Sequence, residues 1–181
     1  KFHCFDIFLF TNSFIEAMRL IANIKILIAD DEKVFCEIFK DLFAGQNCKV
    51  FSTCDPDDVV KIIVDNGIDL VLLDKRFPRD GKGIEVLKKI KKENPDIQVI
   101  MMTSYPDADS SHEALREGVS GYFIKTDDYG TIRETVKSLI AGIESRKSKE
   151  IQIKKLEIAK KTLSDWNSEL VKKLEKLDKK S

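Results

Sequence analysis

Two stretches, Leu70–Asp74 (LVLLD) and Val99–Thr103 (VIMMT), run four apolar residues in succession and then stop at one polar residue. A strand with one face in water alternates apolar and polar positions; a run without alternation must be covered on both faces. Such strands belong in the middle layer of an α/β domain, with helices packed above and below. The rest of the chain supplies those helices. Short apolar runs at Ile24–Ala29, Cys48–Phe51, Leu70–Asp74, Gln98–Thr103 and Gly121–Ile124 alternate with amphipathic patterns. The patterns cover roughly Glu32–Phe43, Pro56–Asn66, Gly83–Glu93, Asp109–Glu117 and Tyr129–Ile143, with Asp55 before Pro56 predicted to cap the second. Five β-then-α units predict a doubly wound, flavodoxin-like α/β fold, a five-stranded parallel sheet of order 2-1-3-4-5 over residues 24–143.

In such a sheet, ligands bind beyond the carboxyl ends of the strands where the strand order reverses. Asp30 and Asp31 follow the first strand and Asp74 ends the third, so three carboxylates are expected at one small site. Adjacent like charges repel by roughly 4 kcal/mol at about 4 Å in a surface-like dielectric, so the cluster calls for a cation. Oxygen ligands of this kind suit Mg²⁺. Thr103 ends the fourth strand and Lys125 follows the fifth, adding a hydroxyl and an ammonium to the same rim. Carboxylates, Mg²⁺, hydroxyl and lysine together form a phosphoryl-transfer constellation, with Asp74 placed as its nucleophile.

Taken in order, ADDE after the first strand, LLDKRFP with proline four residues past the aspartate, MMTS and GYFIK carry a specific signature. Through them, region 24–143 resembles the receiver domain of two-component response regulators. The resemblance implies that Asp74 accepts a phosphoryl group from a sensor histidine kinase or phosphotransfer protein. It implies that Asp30, Asp31, Asp74 and the backbone carbonyl of Arg76 hold Mg²⁺, and that Thr103 and Lys125 contact the phosphoryl oxygens. Tyr122 matches the aromatic whose rotamer follows the engagement of Thr103. Two departures stand out: Thr126 replaces the proline that usually follows the lysine, and the loop in PRDGKGIEVL is one residue longer than usual. Lys125 is expected to matter for switching more than for folding.

From residue 144 the composition turns to Lys, Glu and Leu without Gly or Pro. Leu156, Leu163, Leu170 and Leu177 recur every seventh residue, which sets Ile153, Lys160, Asn167 and Leu174 at the partnering a positions. Residues 144–181 are therefore predicted to form a parallel two-stranded coiled coil joining a homodimer, with a stutter near Arg146–Glu150. This tail holds 12 Lys/Arg against 7 Asp/Glu in a chain of zero formal charge, read as a solvated helical face.

Residues 1–23 form an N-terminal extension opening on Lys1; Ser13 and Glu16 make a capping-box pattern, and Met18 is an alternative start. The run FDIFLF is too short to span a membrane and has no leader pattern. Cys4, Cys36, Cys48 and Cys54 lack metal-site spacing, and reduced thiols point to the cytoplasm. The expected function is a phosphorylation-controlled regulator, not an enzyme. Its output would pass through dimerisation or protein contacts, without direct DNA binding. A Mg²⁺-dependent phosphohydrolase of the haloacid-dehalogenase type is the alternative, but its second acid would fall at Arg76. A non-phosphorylated structural adaptor is the other.

Overall fold

The computed structural model describes residues 24–43, 48–78, 82–125 and 129–178. The expectations for residues 1–23, for Thr126 and for the loop at 79–81 lie outside them. Strands β1 (Ile24–Ala29), β2 (Cys48–Thr53), β3 (Leu70–Asp74), β4 (Gln98–Thr103) and β5 (Gly121–Ile124) alternate with helices. The helices are α1 (Lys33–Phe43), α2 (Asp58–Asn66), α3 (Gly83–Glu93), α4 (Ala108–Arg116) and α5 (Tyr129–Asp178). All four strand pairs are parallel, in the order β2-β1-β3-β4-β5.

Because side chains alternate across a strand, the apolar runs serve two cores. Leu27, Val71, Leu73, Val99 and Met101 face one way and pack with Val59, Ile63, Leu87, Ile90 and Ala114 from α2, α3 and α4. Ile26, Ile28, Leu72, Ile100 and Met102 face the other way, against Phe39 and Phe43 of α1 and Ile132, Val136 and Ile143 of α5. Every residue of β3 is buried. That explains why its run lacks alternation, and it makes the carboxyl end of β3 the centre of the sheet rim.

Several element boundaries differ from expectation: β2 runs to Thr53 rather than Phe51, α1 begins at Lys33 rather than Glu32, and α4 is shifted by one residue, to Ala108–Arg116. Asp55 makes the expected cap bond, its carboxylate accepting the Asp57 N–H at 2.9 Å, but the first turn is closed by Asp58 N–H to the Asp55 carbonyl and regular α2 begins only at Asp58. The fifth helix does not stop at Ile143 but continues without interruption to Asp178. Nothing after Gly142 breaks it, because no glycine or proline follows.

The chain divides into two compact units, Lys1–Glu144 and Ser145–Ser181. In the second unit Ile153, Leu156, Leu163, Leu170, Leu174 and Leu177 are all exposed. Among the described residues no helix is long and apolar enough to cross a membrane.

Candidate functional site at the sheet rim

Each acidic side chain is placed by the end of a strand. Asp30 leaves β1 while its N–H still bonds the Thr53 carbonyl at 3.2 Å, so the residue sits at the rim in strand-like register. Its Oδ1 accepts the Glu32 N–H at 3.0 Å, turning the chain into α1. Asp74 is the last residue of β3, and the next N–H, from Lys75, bonds the Met102 carbonyl at 2.7 Å. Asp30 and Asp74 are buried, and Asp31 between them is half-buried. One oxygen from each of the three carboxylates lies within 4.8 Å of the other two.

Lys125 follows β5 and is buried as well, its N–H bonded to the Thr103 carbonyl at 2.8 Å. Its Nζ lies 2.7 Å from Asp30 Oδ2, 3.3 Å from Asp74 Oδ1 and 3.9 Å from Glu32 Oε1. The ammonium also sits 4.2 Å from the centroid of the Phe35 ring, whose face attracts a cation. One buried cation thus serves two buried carboxylates. Burial pushes the Asp30 carboxyl up to about 6 against the pull of Lys125. Burial raises Asp74 too, again opposed by Lys125. These carboxyls are short of positive charge. A hard divalent cation fits the deficit, because the clustered ligand atoms are carboxylate oxygens and the formal balance of three aspartates and one lysine is −2.

Asp31 and Asp74 open onto a cleft of about 300 Å³ lined also by Glu32, Arg76, Ser104, Tyr105 and Lys125, while Asp30 lies behind it. Thr103 does not line it. The threonine is fully buried, and its hydroxyl donates to the Tyr105 carbonyl at 3.2 Å and accepts the Tyr105 N–H at 3.1 Å. Tyr122 is half-buried against the core shared with α2, α3 and α4, and its buried hydroxyl has no hydrogen-bond partner among the described residues. The Arg76 guanidinium lies 4.9 Å from the centroid of the Tyr105 ring. Lys75, next to Asp74, pairs instead with Asp107 and donates to the Tyr105 carbonyl at 3.3 Å. His112 is exposed on α4.

One supporting residue gave no sequence signal beyond a glycine in a turn-rich stretch. Gly83 opens α3 with its N–H on the Lys75 carbonyl at 3.0 Å. A Cβ there would meet the Lys75 and Asp74 carbonyl oxygens at 2.4 and 2.6 Å. Only glycine lets the helix start this close to the backbone that carries Asp74. Tyr105 carries no sequence signal, because an exposed tyrosine has no pattern of its own, and Ser104 stands in the MMTS motif without an assigned role.

Residues 26–137 match the family model of the response regulator receiver domain. The chain belongs to that family. It is 33% identical over 118 residues to the sporulation initiation phosphotransferase F of Bacillus subtilis, covering 65% of this chain and 94% of that one. It is 33% identical over 123 residues to the transcriptional regulatory protein ZraR of Escherichia coli, covering 68% of this chain but 28% of that one. The chain therefore spans little more than a quarter of the ZraR relatives' length. Among solved structures it superposes on a CheY-like receiver domain protein from Methanospirillum hungatei with a TM-score of 0.63 at 25% identity, covering 68% of this chain and 98% of that one. A receiver domain protein from Clostridium thermocellum gives 0.58 at 28% identity, with coverage of 69% and 97%. The receiver domain accounts for the sheet order and for the acidic rim of a two-component response regulator.

Proposed function

We propose that the chain is a phosphorylation-controlled switch in which Asp74 is the phosphoacceptor. One observation carries the reading: a buried carboxylate, within 4.8 Å of two others and 3.3 Å from a buried ammonium, opens onto a cleft. A donor phosphohistidine on a sensor kinase or phosphotransfer protein would place its phosphorus against an Asp74 oxygen. The new O–P bond forms as the P–N bond breaks, and the electron pair returns to the imidazole, which takes a proton. Asp30, Asp31, Asp74 and the Arg76 carbonyl would hold Mg²⁺, which offsets phosphoryl charge when bound. Lys125 is the fixed cation nearest the new dianion, and Thr103 reaches it after its hydroxyl leaves the Tyr105 turn. Tyr122, with its hydroxyl unbonded, is free to follow that motion. In this reading the domain assists only its own modification and turns over no separate substrate.

The chain is read as three parts: an extension at 1–23, the receiver at 24–143 and a helical tail at 144–181. The tail passes the signal on by pairing with a second copy through a parallel coiled coil, in the cytoplasm and without touching DNA. The seam is Ile153, Leu156, Lys160, Leu163, Asn167, Leu170, Leu174 and Leu177. Incubation with acetyl phosphate and Mg²⁺ tests the assignment. Intact mass should rise by one phosphoryl group, the gain should be lost to hydroxylamine, and Asp74→Asn should show none. An unchanged gain in Asp74→Asn would overturn it.

A further inference from the structure

Three large apolar side chains of the tail outside the a and d positions are exposed: Ile158, at an outward f position, and Trp166 and Val171, which flank the seam. Trp166 and Val171 are 56% and 53% exposed, and by the repeat they occupy a g and the following e position. Five residues apart on one helix they point about 140° away from each other, so they do not meet within a chain. In a parallel pair of helices, however, a g residue faces the e residue five positions later on the other copy. We infer that Trp166 of each chain packs across the seam on Val171 of a second copy, closing a dry cover over the Asn167 layer. This inference rests on the coiled-coil reading of the tail and adds the contact that selects partner and orientation.

The g and e positions fit a parallel copy of the same helix, and that pairing also sets Lys160 against Lys160 in the a layers, a cost the neighbouring contacts must offset. The g-to-e pairs of the described side chains in a parallel homodimer are Gln152–Glu157, Ala159–Ser164 and Trp166–Val171, while Lys173 at the next g position pairs with Glu169 of its own helix at 2.8 Å. None joins like charges. Parallel pairing also sets Asn167 opposite Asn167, where the two amides can satisfy each other. An antiparallel pairing that aligns the leucine layers would set Asn167 against Leu163 and leave its amide unpaired in an apolar layer. The apolar cover next to the amide pair excludes water from that layer, the arrangement in which a polar contact discriminates most strongly between partners.

Trp166 is the only tryptophan in the chain, so its emission reports this contact directly. Full-length protein is followed by sedimentation and tryptophan emission over a dilution series, with and without acetyl phosphate. The expected result is a dimer whose emission is blue-shifted and moves red as it dissociates. Trp166→Ala and Val171→Ala should each raise the dimer dissociation constant, the first by roughly tenfold. The double variant should be little worse than Trp166→Ala alone, since both changes remove one shared contact. A dimer with solvent-exposed tryptophan emission, or with additive single effects, overturns this contact while leaving the coiled coil in place. A trimer, or a monomer at every concentration in both states, overturns the pairing itself.

Discussion

Replacing Lys125 with methionine removes a buried ammonium, and with it the cation on the Phe35 ring, while keeping most of the side-chain volume. In the folded protein that ammonium lies 2.7 Å from Asp30 and 3.3 Å from Asp74, both buried. Removing one partner of a buried pair typically costs about 3–5 kcal/mol, because the remaining charge is stranded. The carboxyls limit that loss by taking up protons. Asp30 already stands at about 6 with Lys125 present, and its two Lys125 contributions both pull it down, so without the lysine it rises further. A folded-state carboxyl raised above its unfolded value of 3.8 contributes stability at low pH that is lost as pH rises through the folded value. The destabilisation by Lys125→Met should therefore be largest near pH 8, about 3 kcal/mol or more, and shrink to roughly 1 kcal/mol near pH 5. Urea unfolding followed by far-ultraviolet circular dichroism at both pH values measures it, and added Mg²⁺ should recover part of the loss at the higher pH. A destabilisation independent of pH, or under about 1 kcal/mol near pH 8, would refute the view that this lysine holds buried charge together.

Gly83→Ala should cost about 1–3 kcal/mol by thermal or urea unfolding, since the new methyl meets carbonyl oxygens on a backbone packed from both sides; an unchanged midpoint would show that α3 shifts freely. Asp31→Asn should stabilise the metal-free protein slightly by relieving repulsion with Asp74, and should weaken Mg²⁺ binding in a calorimetric titration. Unchanged affinity in both this variant and Asp30→Asn would remove the two aspartates from the metal site. For the unsubstituted protein, Mg²⁺ affinity should be nearly flat above about pH 7 and fall as pH drops through about 6, where protons compete for Asp30. A flat profile down to about pH 5 would mean that Asp30 does not share its oxygens with the cation.

The sheet was legible because it is covered on both sides. β3 and β4 announce themselves by unbroken apolar runs, and the strand-end aspartates follow once the runs are placed. Burial of a cation is different in kind. Nothing in GYFIK says that Lys125 will be enclosed between Asp30, Asp74 and the Phe35 ring, so the expectation that it serves switching more than folding understated its structural weight. The inward turn of the Thr103 hydroxyl onto Tyr105 likewise depends on a loop conformation that a lone threonine does not encode. Gly83 is required by a backbone-to-backbone approach, and such approaches arise only when distant segments meet. At Asp55 the cap bond was legible, but the tight first turn that delays the regular helix to Asp58 was not. The length of α5 could have been read further: a stretch without glycine or proline offers the helix no place to stop.

Reduction of the acetyl-phosphate-treated protein with borohydride tests the central claim most directly, because it converts an aspartyl phosphate to homoserine at the residue that carried it. Fragment masses then locate the change. The account predicts homoserine at residue 74 and nowhere else. Homoserine at residue 30 or 31, or a stable phosphate on a serine, threonine or histidine with residue 74 unaltered, would contradict it.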